Sequence, residues 1–229
     1  MAKETPMVKD GKIYRFTKTA RVTHWVYVIS YAVLFFTGLL LFSNAFDFIA
    51  PLFGGFENAQ LLHRIFAVVF ILPVVIFILF DPKSFFGWLK DCFTWTKDDF
   101  GFFPSFVKEL FGIDAKTPPQ GFINAGEKVN SLMTITFSTL LILSGFVMWF
   151  SGSFSQVLVQ WAIVIHSGSA ALLTAVAIVH IYLGTLHPGS KAAFTGMING
   201  YVDAKFAKSH HAKWYDKVME EESKKTKTI

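Results

Sequence analysis

Cysteine is nearly absent from this sequence: Cys92 is the only one among 229 residues. That excludes an intrachain disulfide, a cysteine zinc cluster and a cysteine-ligated iron–sulfur cluster. No Cys-x-x-Cys-His occurs, so covalent c-type haem attachment has no support. Charge is scarce. Asp, Glu, Lys and Arg make up 16% of the chain, and the thirty residues from Val157 to Leu186 contain none of them. An apolar start is missing too. The first 23 residues, MAKETPMVKDGKIYRFTKTARVT, are polar and basic, so no cleavable signal peptide is expected. No repeat at solenoid periods is visible, and no low-complexity tract beyond the charged C-terminal tail.

What is abundant is apolar. Hydrophobic residues make up 53% of the chain, and 27 residues are Phe. This is too apolar for an ordinary soluble domain and indicates a polytopic membrane protein. Spans are predicted at about 24–44, 61–80, 129–150 and 157–186, near or above the ~20 apolar residues that cross a bilayer. The expected fold is all-α: an integral membrane four-helix bundle, one domain over residues 1–229. Residues 1–23 read as a basic arm without apolar period, and 187–229 as a polar tail frayed at its end. Residues 83–128 mix aromatics with charges (FFGWLKDCFTWTKDDF). That is the pattern of short amphipathic helices lying in the membrane interface between the second and third spans. Pro73 falls inside the second span, where neighbouring helices tolerate a kink. Asp81-Pro82 ends that span.

The net charge of +5 does not point to nucleic acid here, because the basic residues flank apolar spans. Six Lys or Arg lie in the arm, six in the 83–128 connection and eight in the tail. The connections after the first and third spans have none, and Arg64 is the one left over. Basic segments stay on the cytoplasmic side. Both termini are therefore expected in the cytoplasm, with four spans the even number this requires.

Ionisable groups within apolar spans mark functional sites, since leaving one unpaired there costs several kcal/mol. His166 and His180 lie fourteen residues apart on the fourth span. Fourteen helical residues advance ~21 Å and return to nearly the same face. Topology then sets depth. His24 enters the first span on the cytoplasmic side, and His63 enters the second on the outer side. On the inward-running fourth span, His166 lies outside and His180 inside. The depths match as His63 with His166, and His24 with His180. Two imidazoles at one level on facing helices suit bis-histidine ligation of a b-type haem, so two haems are expected.

Simpler readings stand beside this one. A membrane histidine is often an interhelical hydrogen-bonding group. Zinc fits poorly, because each depth offers two nitrogens and no nearby carboxylate or thiolate. Arg64, beside His63, either pairs with a haem propionate or snorkels to the interface. Gly38, Gly145 and the small residues Ser167, Gly168, Ser169, Ala170, Ala177 and Gly184 either admit a macrocycle or pack helices. His187 reads as an interfacial helix end. His210 and His211 lie in the tail and are given no ligand role. A reading of another class is a membrane anchor or small transporter without redox cofactor, whose histidines relay protons.

The order R-V-T-H-W, L-L-H, I-H-S-G, V-H-I-Y and then H-H-A-K-W-Y, with an N-A-G-E-K turn between, resembles a known family. It is similar to the cytochrome b (gamma) subunits of membrane-bound respiratory formate dehydrogenases, from about Arg15 to Tyr215. The resemblance implies a dihaem anchor of the bacterial cytoplasmic (inner) membrane. It implies an iron–sulfur subunit and a catalytic molybdenum or tungsten subunit as partners. It implies His63 and His166 as ligands of the outer haem, and His24 and His180 of the inner one, which agrees with the pairing by depth. Electrons would pass from the outer to the inner haem and reduce menaquinone, or another quinone, near the cytoplasmic face. The quinone pocket would use the turn before the third span, where Asn124 and Gly126 match the family pattern. Glu127 stands where the family has glutamine. There it either passes protons to the quinone, or is a first-turn acid while Asn124 caps the helix. Similar anchors serve hydrogenases and other oxidoreductases, so the partner's identity rests on resemblance alone.

Overall fold

The computed structural model describes residues 7–113 and 115–227. Met1–Pro6, Asp114, Thr228 and Ile229 lie outside it, and with them the start of the predicted arm and the end of the predicted tail. In chain order the elements are β1 (Val8–Lys9), β2 (Lys12–Tyr14), α1 (Lys18–Phe42), α2 (Phe56–Phe80), α3 (Pro82–Phe93), α4 (Lys97–Leu110) and α5 (Ala125–Trp149). Then come α6 (Gln156–Ile181), α7 (Ala193–Asn199), β3 (Tyr201–Asp203), α8 (Ala204–His210) and α9 (Ala212–Lys227). A 3-10 segment, Asn44–Phe53, leads into α2, and a π-type turn, Tyr182–Leu186, extends α6.

Four of these helices, α1, α2, α5 and the extended α6, are long and apolar enough to cross a membrane. At most 17% of the most apolar window of each is buried within the protein. Much of the rest is exposed apolar surface, such as Leu79 and Phe80 on α2 and Val164 and Ile178 on α6. Such faces would aggregate in water, whereas in hydrocarbon they meet a solvent of their own kind.

Three spans begin earlier than their apolar runs, because polar or glycine residues outside the run start them. Thr17 caps α1, its Oγ1 accepting from the Ala20 amide at 3.1 Å. Gly54 and Gly55, at φ of 75° and 106°, turn the chain into α2. Asn124 and Glu127 close the N-terminus of α5 by accepting each other's amides at 2.9 Å. Consequently Gly126, Glu127 and Lys128 lie in the first turn of α5 rather than in a turn before it.

The described residues form two compact units. The span unit holds Val22–Asp81 and Met133–Val179. In it α1 bonds its neighbours at successive depths. Tyr27 OH shares a hydrogen bond with Ser138 Oγ of α5 at 2.9 Å, and Tyr31 OH with Thr174 Oγ1 of α6 at 2.7 Å. The ring of Phe70 on α2 packs against both tyrosines, its centre 4.8 and 6.2 Å from theirs. Interhelical hydrogen bonds of this kind contribute about 0.6–2 kcal/mol each within a membrane.

The other unit holds the residues up to Arg21, Pro82–Leu132 and those from His180 onward. Here the all-α expectation gains an exception. Asp10 and Gly11 both have positive φ, 50° and 71°, and turn β1 back on β2 as a two-residue hairpin. β3, from the tail, adds antiparallel to β2 with Ile13 opposite Val202. Ile13, Val202, Phe206, Ala207 and Val218 form a buried core, in which each large aliphatic contributes about 1.5–3 kcal/mol by leaving water. The tail predicted to be polar and frayed is therefore folded as far as Lys227. Its buried core residues fall one or two to an element, Val202 on β3, Phe206 and Ala207 on α8 and Val218 on α9, so no helical or strand period shows in the sequence.

Candidate functional site

The structure brings together His63 of α2 and His166 of α6, one of the predicted histidine pairs. Their ring centres are 6.4 Å apart, with planes inclined at 61°. Each ring is held the same way by the helix before its own. Thr37 Oγ1 of α1 lies 2.8 Å from His63 Nδ1, and Ser144 Oγ of α5 lies 3.1 Å from His166 Nδ1. The next residue in each case is glycine. A Cβ on Gly38 would sit 3.4 Å from His63 Cε1, and one on Gly145 would sit 3.2 Å from His166 Cε1. These two glycines therefore admit the edges of the imidazoles.

Proton accounting assigns the tautomers. A hydroxyl has one proton. That of Thr37 goes to the Val33 carbonyl at 2.7 Å, and that of Ser144 to the Leu140 carbonyl at 2.5 Å. This is the usual back-bond of a helical Ser or Thr. Each hydroxyl oxygen must then accept from Nδ1–H, which leaves a lone pair on each Nε2. Two such nitrogens can take a metal between them. Arg64, exposed on α2, stacks its guanidinium over Trp149 of α5 at 5.6 Å. His24 lies on α1 in the span unit, its ring edge-on to Trp25. His180 ends α6 in the arm–tail unit, within reach of the charge on Glu127. His187, the predicted helix end, follows the π-type turn and is buried.

The predicted quinone residues sit in a dense polar cluster. Arg15 Nη2 donates to the Phe122 carbonyl at 2.7 Å and to both Glu127 oxygens at 3.0 and 3.1 Å. The guanidinium is buried against the rings of Phe16, Phe122 and Trp214 at 4.9–5.8 Å. Gln120, also buried, accepts from the Ala125 amide at 2.9 Å and donates to the Asp98 and Pro118 carbonyls. Asn124 and Glu127 are thus bound into the helix start, the arrangement expected of a cap.

Two contributors escaped the sequence reading. His211, assigned to a solvated tail, is fully buried. Its Nδ1 donates to the Gly121 carbonyl at 2.9 Å, and its Nε2 is 4.0 Å from Glu127 Oε2. Burial, reinforced by the Arg15 charge, pushes its pKa down to about 4, against the pull of Glu127. The ring is therefore neutral at pH 7. Its signal was the H-H-A-K-W-Y run, whose Trp214 packs edge-on to Phe122. The second contributor is Lys128, which donates to Asp99 Oδ1 at 2.6 Å and to the Thr94 carbonyl at 2.8 Å. Burial raises the Asp99 pKa, but hydrogen bonds from Lys128 and Thr96 outweigh it and hold the carboxyl below its ordinary range. The pair fixes the start of α4 to the first turn of α5.

Comparison with known proteins gives this arrangement a family. The model of prokaryotic cytochrome b561 matches residues 15–200. The formate dehydrogenase cytochrome b556(fdo) subunit of Escherichia coli (strain K12) is 27% identical over 223 residues, 96% of this chain and 99% of that one. The cytochrome b556(Fdn) subunit of the nitrate-inducible formate dehydrogenase of the same strain is 27% identical over 225 residues, 96% and 97% of the two chains. The formate dehydrogenase cytochrome b556 subunit of Haemophilus influenzae is 28% identical over 209 residues, 90% and 83%. With its four apolar helices, the chain belongs to the prokaryotic cytochrome b561 family, b-type haem cytochromes, and is a multi-pass protein of the bacterial inner membrane.

Proposed function

We propose that this chain is the electron-transferring cytochrome b subunit of a membrane-bound oxidoreductase, of the formate dehydrogenase kind named for its relatives. The carrying observation is the His63–His166 pair. Imidazole–metal bonds run ~2 Å, with each ring centre about 1 Å behind its nitrogen, so two rings sharing one ion have centres roughly 6 Å apart. The 6.4 Å spacing suits that, and both Nε2 lone pairs are available. Among the described residues no group of three or more His, Cys, Asp or Glu could hold a metal ion. An ion between these rings thus has two protein ligands, the set that bis-histidine haem uses. A b-type haem bound there supplies reversible one-electron transfer. His63 and His166 would hold the outer haem, and His24 and His180 a second, inner one.

The distribution of Lys and Arg favours both termini, and α3 and α4 at the interface, on the cytoplasmic side. Electrons would come from an iron–sulfur subunit and a catalytic molybdenum or tungsten subunit outside. They would leave to menaquinone or a similar quinone near Asn124, Gly126 and Glu127. Phe102 and Asn124 face the Cα of Gly126, where a Cβ would lie 3.3 Å from each. A hydrogenase or other oxidoreductase could use the same anchor, and co-purification identifies the partner.

The test is a reduced-minus-oxidised spectrum and haem count on the purified complex. Two non-covalent b-type haems per chain are expected, with His63→Ala and His166→Ala each removing the same one. A preparation without reducible haem, or depletion of different haems by the two variants, refutes the assignment.

A further inference from the structure

We infer that Thr37 and Ser144 are a matched pair of positioning residues that orient both ligands of the outer haem and lower its reduction potential. The inference rests on the electron-transfer reading above and adds to it two residues that touch no iron.

The geometry is duplicated to a degree that helix packing alone does not require. A hydroxyl residue followed by glycine occurs on α1 as Thr37-Gly38 and on α5 as Ser144-Gly145. Each hydroxyl is buried, each donates to the carbonyl four residues back, and each meets Nδ1 of a histidine on the following span. Each glycine meets Cε1 of the same ring. The two imidazoles so held face each other. In hydrocarbon a bare Nδ1–H would be an unsatisfied donor, so each hydroxyl also removes that penalty.

Three effects follow. The tautomer is fixed, so Nε2 always presents its lone pair. The ring planes are fixed at their mutual inclination of 61°. And Nδ1–H, by donating to an oxygen, gives the ring some imidazolate character. A more basic ligand favours the ferric over the ferrous state, which lowers the potential.

The experiment uses the purified holo-complex and redox titration followed in the visible spectrum. Thr37→Val keeps the shape and deletes the hydroxyl, Ser144→Ala deletes the other, and Thr37→Ser keeps a hydroxyl. In Thr37→Val and Ser144→Ala the same haem should become easier to reduce. The expected shift is about tenfold in its ferrous-to-ferric ratio at fixed potential, about 59 mV for a one-electron couple. The other haem should not move, and Thr37→Ser should titrate as the native protein. The low-spin EPR signal of the affected haem, which reports the angle between the ligand planes, should shift in Thr37→Val and Ser144→Ala only. Loss of that haem in Thr37→Val with retention in Thr37→Ser also supports the role. Unmoved potentials, a Thr37→Ser shift equal to that of Thr37→Val, loss of haem in both, or shifts in different haems overturn it. Native protein without reducible haem would instead overturn the electron-transfer reading on which it stands.

Discussion

Acid should loosen the arm–tail unit through His211 before it touches the spans. The ring is fully buried, its Nδ1–H bound to the Gly121 carbonyl, with the Arg15 guanidinium nearby. Burial first, and Arg15 second, bring its pKa from the ordinary 6.5 to about 4. Between those values the unfolded chain takes up a proton that the folded chain refuses. Stability from this group is therefore full above pH 6.5, falls as the pH drops towards 4, and levels off below. At 1.36 kcal/mol per unit, the loss is about 3 kcal/mol. Glu127 and His210 also act on the ring, Glu127 favouring protonation and His210 opposing it. The assay is amide exchange in α9, in the detergent-solubilised complex, from pH 8 to pH 4, corrected for intrinsic rates. His211→Gln is the control, since its amide can still donate to the Gly121 carbonyl but does not titrate. Protection in the native protein should fall with acid across this window, and His211→Gln should lose most of that slope. Equal slopes in the two proteins would refute the argument.

Three further outcomes are expected. Lys128→Met leaves the Asp99 carboxylate buried without its cation and should cost about 3–5 kcal/mol of thermal stability, much of it restored by adding Asp99→Asn; no restoration would deny the coupling. Asn124→Ser keeps an acceptor for the Glu127 amide but removes the side-chain amide; quinone reduction should fall while the donor still reduces both haems, and unchanged turnover moves the quinone elsewhere. Gly145→Ala places a methyl 3.2 Å from His166 Cε1 and should deplete the outer haem, whereas Gly38→Ala, at 3.4 Å from His63, should be milder; equal haem content in both variants and the native protein would show that neither glycine sets the ring positions.

The spans were legible because hydrocarbon demands long apolar runs, and a run such as Val157–Leu186 has no other use. Their starts were not, since capping is done by polar residues outside the run: Thr17 and Asn124. The hairpin signal, Asp10-Gly11 between Val8 and Ile13, was present in an arm otherwise dominated by charge. The His63–His166 pair followed from depth alone. Thr37 and Ser144 did not, because a hydroxyl residue in a membrane helix ordinarily satisfies itself on its own backbone. Only the position of the facing imidazole distinguishes these two. The tail core was hidden for a different reason: β3 pairs with a strand almost two hundred residues earlier, a contact no local pattern encodes.

At Glu127 the structure favours one of the two readings the sequence leaves open. At a membrane surface beside a quinone a carboxylate suggests a proton carrier, and general acid–base catalysis is worth 10²–10⁴-fold in rate, roughly 3–5 kcal/mol. The structure offers a competing use of similar size. Both carboxylate oxygens take Arg15, one of them also takes the Asn124 amide, and Arg15 is buried among three aromatic rings. Protonating Glu127 would leave that buried guanidinium without its counter-charge, at a cost of about 3–5 kcal/mol. A carrier must gain and lose its proton at every turnover, and here each gain would break the contact joining the arm to the start of α5. The ion pair therefore opposes the cycle that a relay needs. It also accounts for a carboxylate rather than a carboxamide at this position: Gln would cap α5 equally well, but only Glu neutralises Arg15.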